Sequence, residues 1–95
     1  MLFRSVGSSQ ADIKMTELFA RAALEVDNRK LTGLTSNTVI SSLGMDSVTT
    51  MELIAYFEEK LRIHIPDEEL GRVRTLGDLR DIVARLVPPG VQVTL

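Results

Sequence analysis

Leu43-Gly44-Met45-Asp46-Ser47 runs directly into Val48-Thr49-Thr50-Met51-Glu52-Leu53-Ile54-Ala55-Tyr56-Phe57-Glu58-Glu59-Lys60-Leu61, and the reading of this junction decides the fold. Leu53, Ile54, Phe57 and Leu61 recur at helical spacing, so the longer segment is an amphipathic helix with one buried stripe. Gly44 permits a backbone angle that other residues resist just ahead of it. Asp46 or Ser47 supplies the N-cap, while Thr49 and Glu52 have capping-box spacing as a competing start. A serine at such a junction is exposed and sits among backbone N–H groups that suit an anion such as phosphate.

Upstream, Met15, Leu18, Phe19, Ala22 and Val26 form the apolar face of a first helix predicted over 11–26. Ser9 or Gln10 would start it, Asp12 would favour its positive end, and Asp27 and Asn28 would end it. Residues 1–10 are small, polar and unpatterned and read as a flexible leader. Residues 27–44 are long for a connection in a small domain. Leu31, Leu34, Val39 and Ile40 are expected to pin this loop over the bundle, with a helical turn near 37–41.

Downstream, Pro66 ends the central helix region and opens a short third helix, Pro66-Asp67-Glu68-Glu69-Leu70, limited by Gly71. Thr75 caps a last helix, with Asp78 three residues on reinforcing it. Its stripe is Leu76, Leu79, Ile82, Val83 and Leu86. Pro88-Pro89-Gly90 stops it and leaves 88–95 as a tail or linker. The expected fold is all-α: a small bundle of three main helices and one short one, with its domain over 11–87.

Composition narrows the function. Apolar residues make up 44% of the 95-residue chain, enough for one core and too little chain for a deep catalytic cleft. A net charge of −2 argues against nucleic acid. No apolar run approaches the roughly 18 residues that mark a membrane span, and no secretory signal opens the chain. Without cysteine there is no disulfide or thiolate metal site. His64 stands alone, is expected to be exposed, and makes neither a metal site nor a nucleophile pair with Ser47. A cytoplasmic monomer without enzymatic activity is expected.

These residues resemble the acyl carrier protein family, including the peptidyl carrier domains of assembly lines. The resemblance starts at Leu43-Gly44-Met45-Asp46-Ser47 and continues through Glu52-Leu53, Glu58-Glu59 and Ile65-Pro66-Asp67-Glu68-Glu69. It closes at Arg74-Thr75-Leu76-Gly77-Asp78-Leu79. Such an extended register is far more specific than a five-residue motif. It implies a four-helix carrier bundle in which Ser47, with Asp46 and Gly44 beside it, bears a covalent 4′-phosphopantetheine taken from coenzyme A. A phosphopantetheinyl transferase would install this arm. Acyl-loading, condensing or modifying enzymes would then meet the acyl thioester it holds.

Val48, Met51 and Ala55 lie on a second face of the central helix and make a candidate docking strip. Glu52, Glu58 and Glu59 flank it, and such carboxylates in the family steer encounter with basic partners. A packed Val48 and Met51 under the loop, and an ordinary solvated acidic face, are the plain alternatives. Thr49 stands where the fatty-acid branch typically has an acid, and Lys60, Arg62, Arg72, Arg74, Arg80 and Arg85 dilute the negative charge. These departures favour a polyketide or mixed polyketide–peptide pathway over fatty-acid synthesis or an aminoacyl carrier. A non-covalent helical adaptor is the alternative from another class.

Overall fold

The computed structural model describes residues 12–95. Strand β1 (Asp12–Lys14) leads into α1 (Met15–Asp27), and a long loop carries a 3-10 turn at Ile40–Leu43. Helices α2 (Ser47–Leu61), α3 (Asp67–Leu70) and α4 (Leu76–Leu86) follow, then strand β2 (Gln92–Thr94). This is the expected helical bundle of three main helices and one short one.

The core is where the periodic stripes meet. Met15, Phe19, Ala22 and Ala23 of α1 are buried against Leu53 and Phe57 of α2 and Leu76, Leu79, Ile82 and Val83 of α4. Phe19 and Phe57 pack ring to ring at 5.9 Å between centroids, a geometry worth about 0.5–1.5 kcal/mol beyond the area it buries. Ile65, between α2 and α3, is 1% exposed and closes the lower side. The Arg85 guanidinium donates to the Glu69 carboxylate and ties α4 to α3.

Helix ends follow local chemistry where a polar side chain is at hand. Asp46 is the cap of α2, its carboxylate accepting the Thr49 N–H at 2.8 Å. Glu52 takes no part, so the Thr49–Glu52 capping box is not used. Thr75 and Asp78 form a reciprocal capping box on α4. Asn28 and Arg62 end α1 and α2 in the left-handed conformation, at φ 51° and 56°.

Three expectations need correction. The start of α1 is at Met15, and Asp12 lies in an extended strand with no role at the helix dipole. Lys14 occupies the cap position without a side-chain hydrogen bond, so no polar signal marks this start. The proposed starters Ser9 and Gln10, and the leader over 1–10, lie outside the described residues. Residues 88–95, read as a tail, turn back so that β2 pairs in parallel with β1, Ile13 opposite Val93. Val93 is buried, and the Thr16 hydroxyl donates to the Leu95 carbonyl at 2.7 Å. Val39, expected to pin the loop by packing, is exposed and contributes through its backbone, bridging Thr75. Leu31, Leu34 and Ile40 do pack against the core.

Two predictions follow from these contacts. Removing residues 91–95 withdraws the Val93 side chain from the core, which is expected to cost about 1.5–3 kcal/mol and lower the urea midpoint; an unchanged midpoint would show that β2 is dispensable. The second concerns acid. The Thr49 backbone N–H holds the Asp46 carboxyl below its ordinary value, and the Thr75 and Arg74 N–H groups do the same for Asp78. The unfolded chain therefore binds protons more readily at both sites. Their stabilisation is complete above the unfolded value and drains as pH falls through the folded ones, below about pH 4. The fall in urea midpoint there should be shallower for the Asp46→Asn/Asp78→Asn double variant, which keeps acceptors but cannot titrate.

Candidate functional site

Because Asp46 takes the cap, Ser47 becomes the first residue of α2. Its side chain is exposed, and its hydroxyl makes no hydrogen bond among the described residues. The hydroxyl is thus free for chemistry, as a capping hydroxyl would not be. In the first turn, Thr49 donates to the Asp46 carboxylate and Thr50 to the Asp46 carbonyl. The Ser47 and Val48 N–H groups have no acceptor within the helix, as its geometry requires. Together with the dipole they favour a phosphate esterified at Ser47, by about 0.3–1 kcal/mol when exposed.

The approach to Ser47 is shaped by Gly44 and by a residue that sequence reasoning missed. Gly44 has φ 79°, the left-handed conformation that lets the loop turn into α2. Arg29, just past the end of α1, is oriented by Asp27 at 3.1 Å and donates to the Leu43 carbonyl at 3.3 Å. It therefore anchors the stretch that precedes the serine. No short-range pattern marks Arg29, whose partner lies 14 residues away.

Ser47 also lines the mouth of a cavity of about 500 Å³, within the roughly 300–1,000 Å³ range of small-molecule sites. Buried Phe19, Leu53 and Leu79 contribute to its lining, with half-buried Met45, Ile54 and Val73. The long loop forms one wall because three backbone hydrogen bonds fasten it to the segment before α4 and to the first turn of α4. Ile40 N–H donates to the Arg74 carbonyl at 2.9 Å, Leu76 N–H to Thr38 at 3.0 Å, and Gly77 N–H to Ser36 at 2.9 Å. At Gly77 a Cβ would stand 3.1 Å from the Ser36 carbonyl oxygen, so glycine permits this approach.

The candidate docking residues separate into two groups. Val48 and Met51 are 67% and 68% exposed, which overturns the alternative that they pack under the loop. Ala55, Glu52 and Glu59 are also exposed. Glu58 is not available in the same way: its carboxylate accepts the Ile65 N–H at 2.8 Å and lies 3.4 Å from His64 Nδ1. Glu58 thus has a structural role as well, fastening the turn after α2. His64 projects into solvent, its side chain 86% exposed. No helix of the described residues is long and apolar enough to cross a membrane.

Comparison with known proteins agrees with this geometry. The family model described as "Phosphopantetheine attachment site" matches residues 15–83. An acyl carrier protein of Wolinella succinogenes is 45% identical over 40 residues, covering 42% of this chain and 53% of that protein. The chain therefore matches about half the length of that relative. The crystal structure of an acyl carrier protein from Thermotoga maritima superposes with a TM-score of 0.69 at 30% identity, covering 75% of this chain and 84% of that one. The chain belongs to the acyl carrier protein family of phosphopantetheine attachment domains.

Proposed function

We propose that Ser47 is the attachment point and that the protein carries acyl groups between biosynthetic enzymes, itself catalysing nothing. The observation that carries this reading is the free, exposed Ser47 hydroxyl at the first position of α2, beside an apolar cavity. In the attachment step Ser47 Oγ bonds to the phosphorus next to pantetheine in coenzyme A. The pyrophosphate P–O bond breaks, adenosine 3′,5′-bisphosphate leaves, and the serine proton passes to solvent. A phosphopantetheinyl transferase is the partner that chemistry requires. When bound, the arm's terminal thiol supplies the thioester link to the acyl group.

The chain's own residues do the rest. Asp46 keeps the first turn of α2 wound and leaves the serine unspent. Gly44 and Arg29 hold the approach to it. Val48, Met51 and Ala55 offer an apolar strip next to the attachment point, and Glu52 and Glu59 surround it with charge that steers basic partners. The apolar cavity gives a short acyl chain somewhere to leave water, which favours acyl cargo over a charged aminoacyl group. Thr49 in place of an acid, the modest net charge of −2 and the arginines of the α3–α4 region favour a polyketide or mixed polyketide–peptide pathway over fatty-acid synthesis.

Incubation with coenzyme A and a broad-specificity transferase should add the mass of one phosphopantetheine to the parent and nothing to Ser47→Ala. No gain in the parent, or an equal gain in the variant, removes the carrier reading. For the docking strip, Met51→Glu places a charge on an exposed position, so the unfolding transition should stay within about 0.5 kcal/mol of the parent. Acylation of the holo form by a loading enzyme should slow at least about tenfold, a loss of ~1.4 kcal/mol in transition-state contact. Equal rates would count against docking there.

A further inference from the structure

The backbone leading into Ser47 is tied to α1 by one side chain, Arg29, which is held at both ends. The Arg29 N–H donates to the Ala23 carbonyl at 3.2 Å, so its Cα is set by the end of α1. Ala23 is itself buried in the core. Further out, Nε donates to the Asp27 carboxylate at 3.1 Å and Nη1 to the Leu43 carbonyl at 3.3 Å. Nη1 also lies 3.6 Å from the point that a Cβ at Gly44 would occupy, so the guanidinium packs along the turn Gly44 makes at φ 79°. Core, helix end, guanidinium and site loop thus form one continuous series of contacts.

That series bears on reaction rate. Leu43 ends the 3-10 turn, where a carbonyl has no partner within the turn. Among the described residues, Arg29 is the one side chain that donates to the backbone of residues 43–45. Asp46 fixes the far end of this stretch by capping α2. Gly44 and Met45 alone lie between the two anchors, and Ser47 follows directly. In the attachment step Ser47 Oγ bonds to phosphorus as the pyrophosphate P–O bond breaks, so the two oxygens and the phosphorus must line up. A misplacement of about 1 Å can cost about 10²-fold in rate, even when its cause lies away from the chemistry.

We infer that Arg29, oriented by Asp27, is a positioning residue for the attachment of phosphopantetheine: it holds Leu43 and Gly44 so that Ser47 is presented in one pose. This assignment rests on the carrier reading and adds to it a residue outside the attachment motif, on the far side of the long loop. Its effect falls on the transfer itself and not on docking, which the Val48–Met51 strip serves.

The test follows carrier mass through a single turnover, with coenzyme A and a broad-specificity transferase in excess, over a range of transferase concentrations. The maximal rate then reports the transfer, and the half-saturating concentration reports docking. Arg29→Met should lower the maximal rate about tenfold and keep half-saturation within about twofold. Arg29→Lys offers one ammonium to two acceptors, and Asp27→Ala leaves the guanidinium unguided; each should lower the rate about threefold. The Asp27→Ala/Arg29→Met double variant should be no slower than Arg29→Met, because both act through one contact. Arg85→Gln removes an ion pair of similar kind between α4 and α3 and should react at the parent rate, whatever its melting temperature. If Arg29→Met does not fold, the Arg29→Lys and Asp27→Ala rates decide in its place. An unchanged maximal rate, a fall matched by Arg85→Gln, or a double variant slower than Arg29→Met by the Asp27→Ala factor overturns the role of Arg29. Complete modification at long times leaves the carrier reading standing in each of those cases. No mass gain in the parent overturns both.

Discussion

The hydrogen bond from the Thr49 N–H to the Asp46 carboxylate sets where α2 begins, and most of the molecule depends on that position. The helix that begins there buries Leu53 and Phe57, one turn apart, and Phe57 meets Phe19 of α1. Val48 and Met51 lie on its exposed face. Were Ser47 itself the cap, its oxygen would be occupied by a backbone N–H. One carboxylate thus settles where the helix begins and leaves the neighbouring hydroxyl free.

The second constraint is the fastening of the long loop to the region where α4 begins. A loop of this length has many unpaired backbone groups, and those near the core need partners. Ile40, Thr38 and Ser36 find them at Arg74, Leu76 and Gly77, and Val39 bridges Thr75. The loop is therefore held by backbone rather than by the Val39 side chain, which stays exposed. The cavity exists because this wall stands off from α2 while Leu31, Leu34 and Ile40 still pack against the core. Arg29 performs the complementary task at the other end, where the loop approaches Ser47.

What the sequence revealed tracks how local the causes are. The bounds of α2 and the start of α4 were legible because Asp46, Thr75 and Asp78 act within three residues of themselves. The core stripes were legible because burial follows helical period. The strand pair was not, since each strand has only three residues and Thr16 and Leu95, which lock it, stand 79 residues apart. The start of α1 was misplaced for a related reason: Lys14 caps nothing, and the helix begins where the strand ends. At the site, the motif residues could be picked out by spacing, whereas Arg29 owes its role to a contact across the loop.

Charge on this protein divides in the same way between structure and recognition. Counting acids along α2 and α3 suggests a broad negative surface, yet several of these carboxylates are already engaged. Asp46 caps α2, Glu58 holds the turn at Ile65, Glu69 binds Arg85, and Asp78 closes the α4 capping box. Glu52, Glu59, Asp67 and Glu68 remain exposed and without an ion pair among the described residues. Long-range steering depends on the summed field, to which engaged and free acids both contribute. Short-range contact with a partner depends only on groups that can exchange water for a new donor. The surface that can be read by contact is therefore narrower than the composition implies. On the carrier function proposed above it centres on the exposed apolar Val48–Met51 strip, with exposed Glu52 and Glu59 at its border.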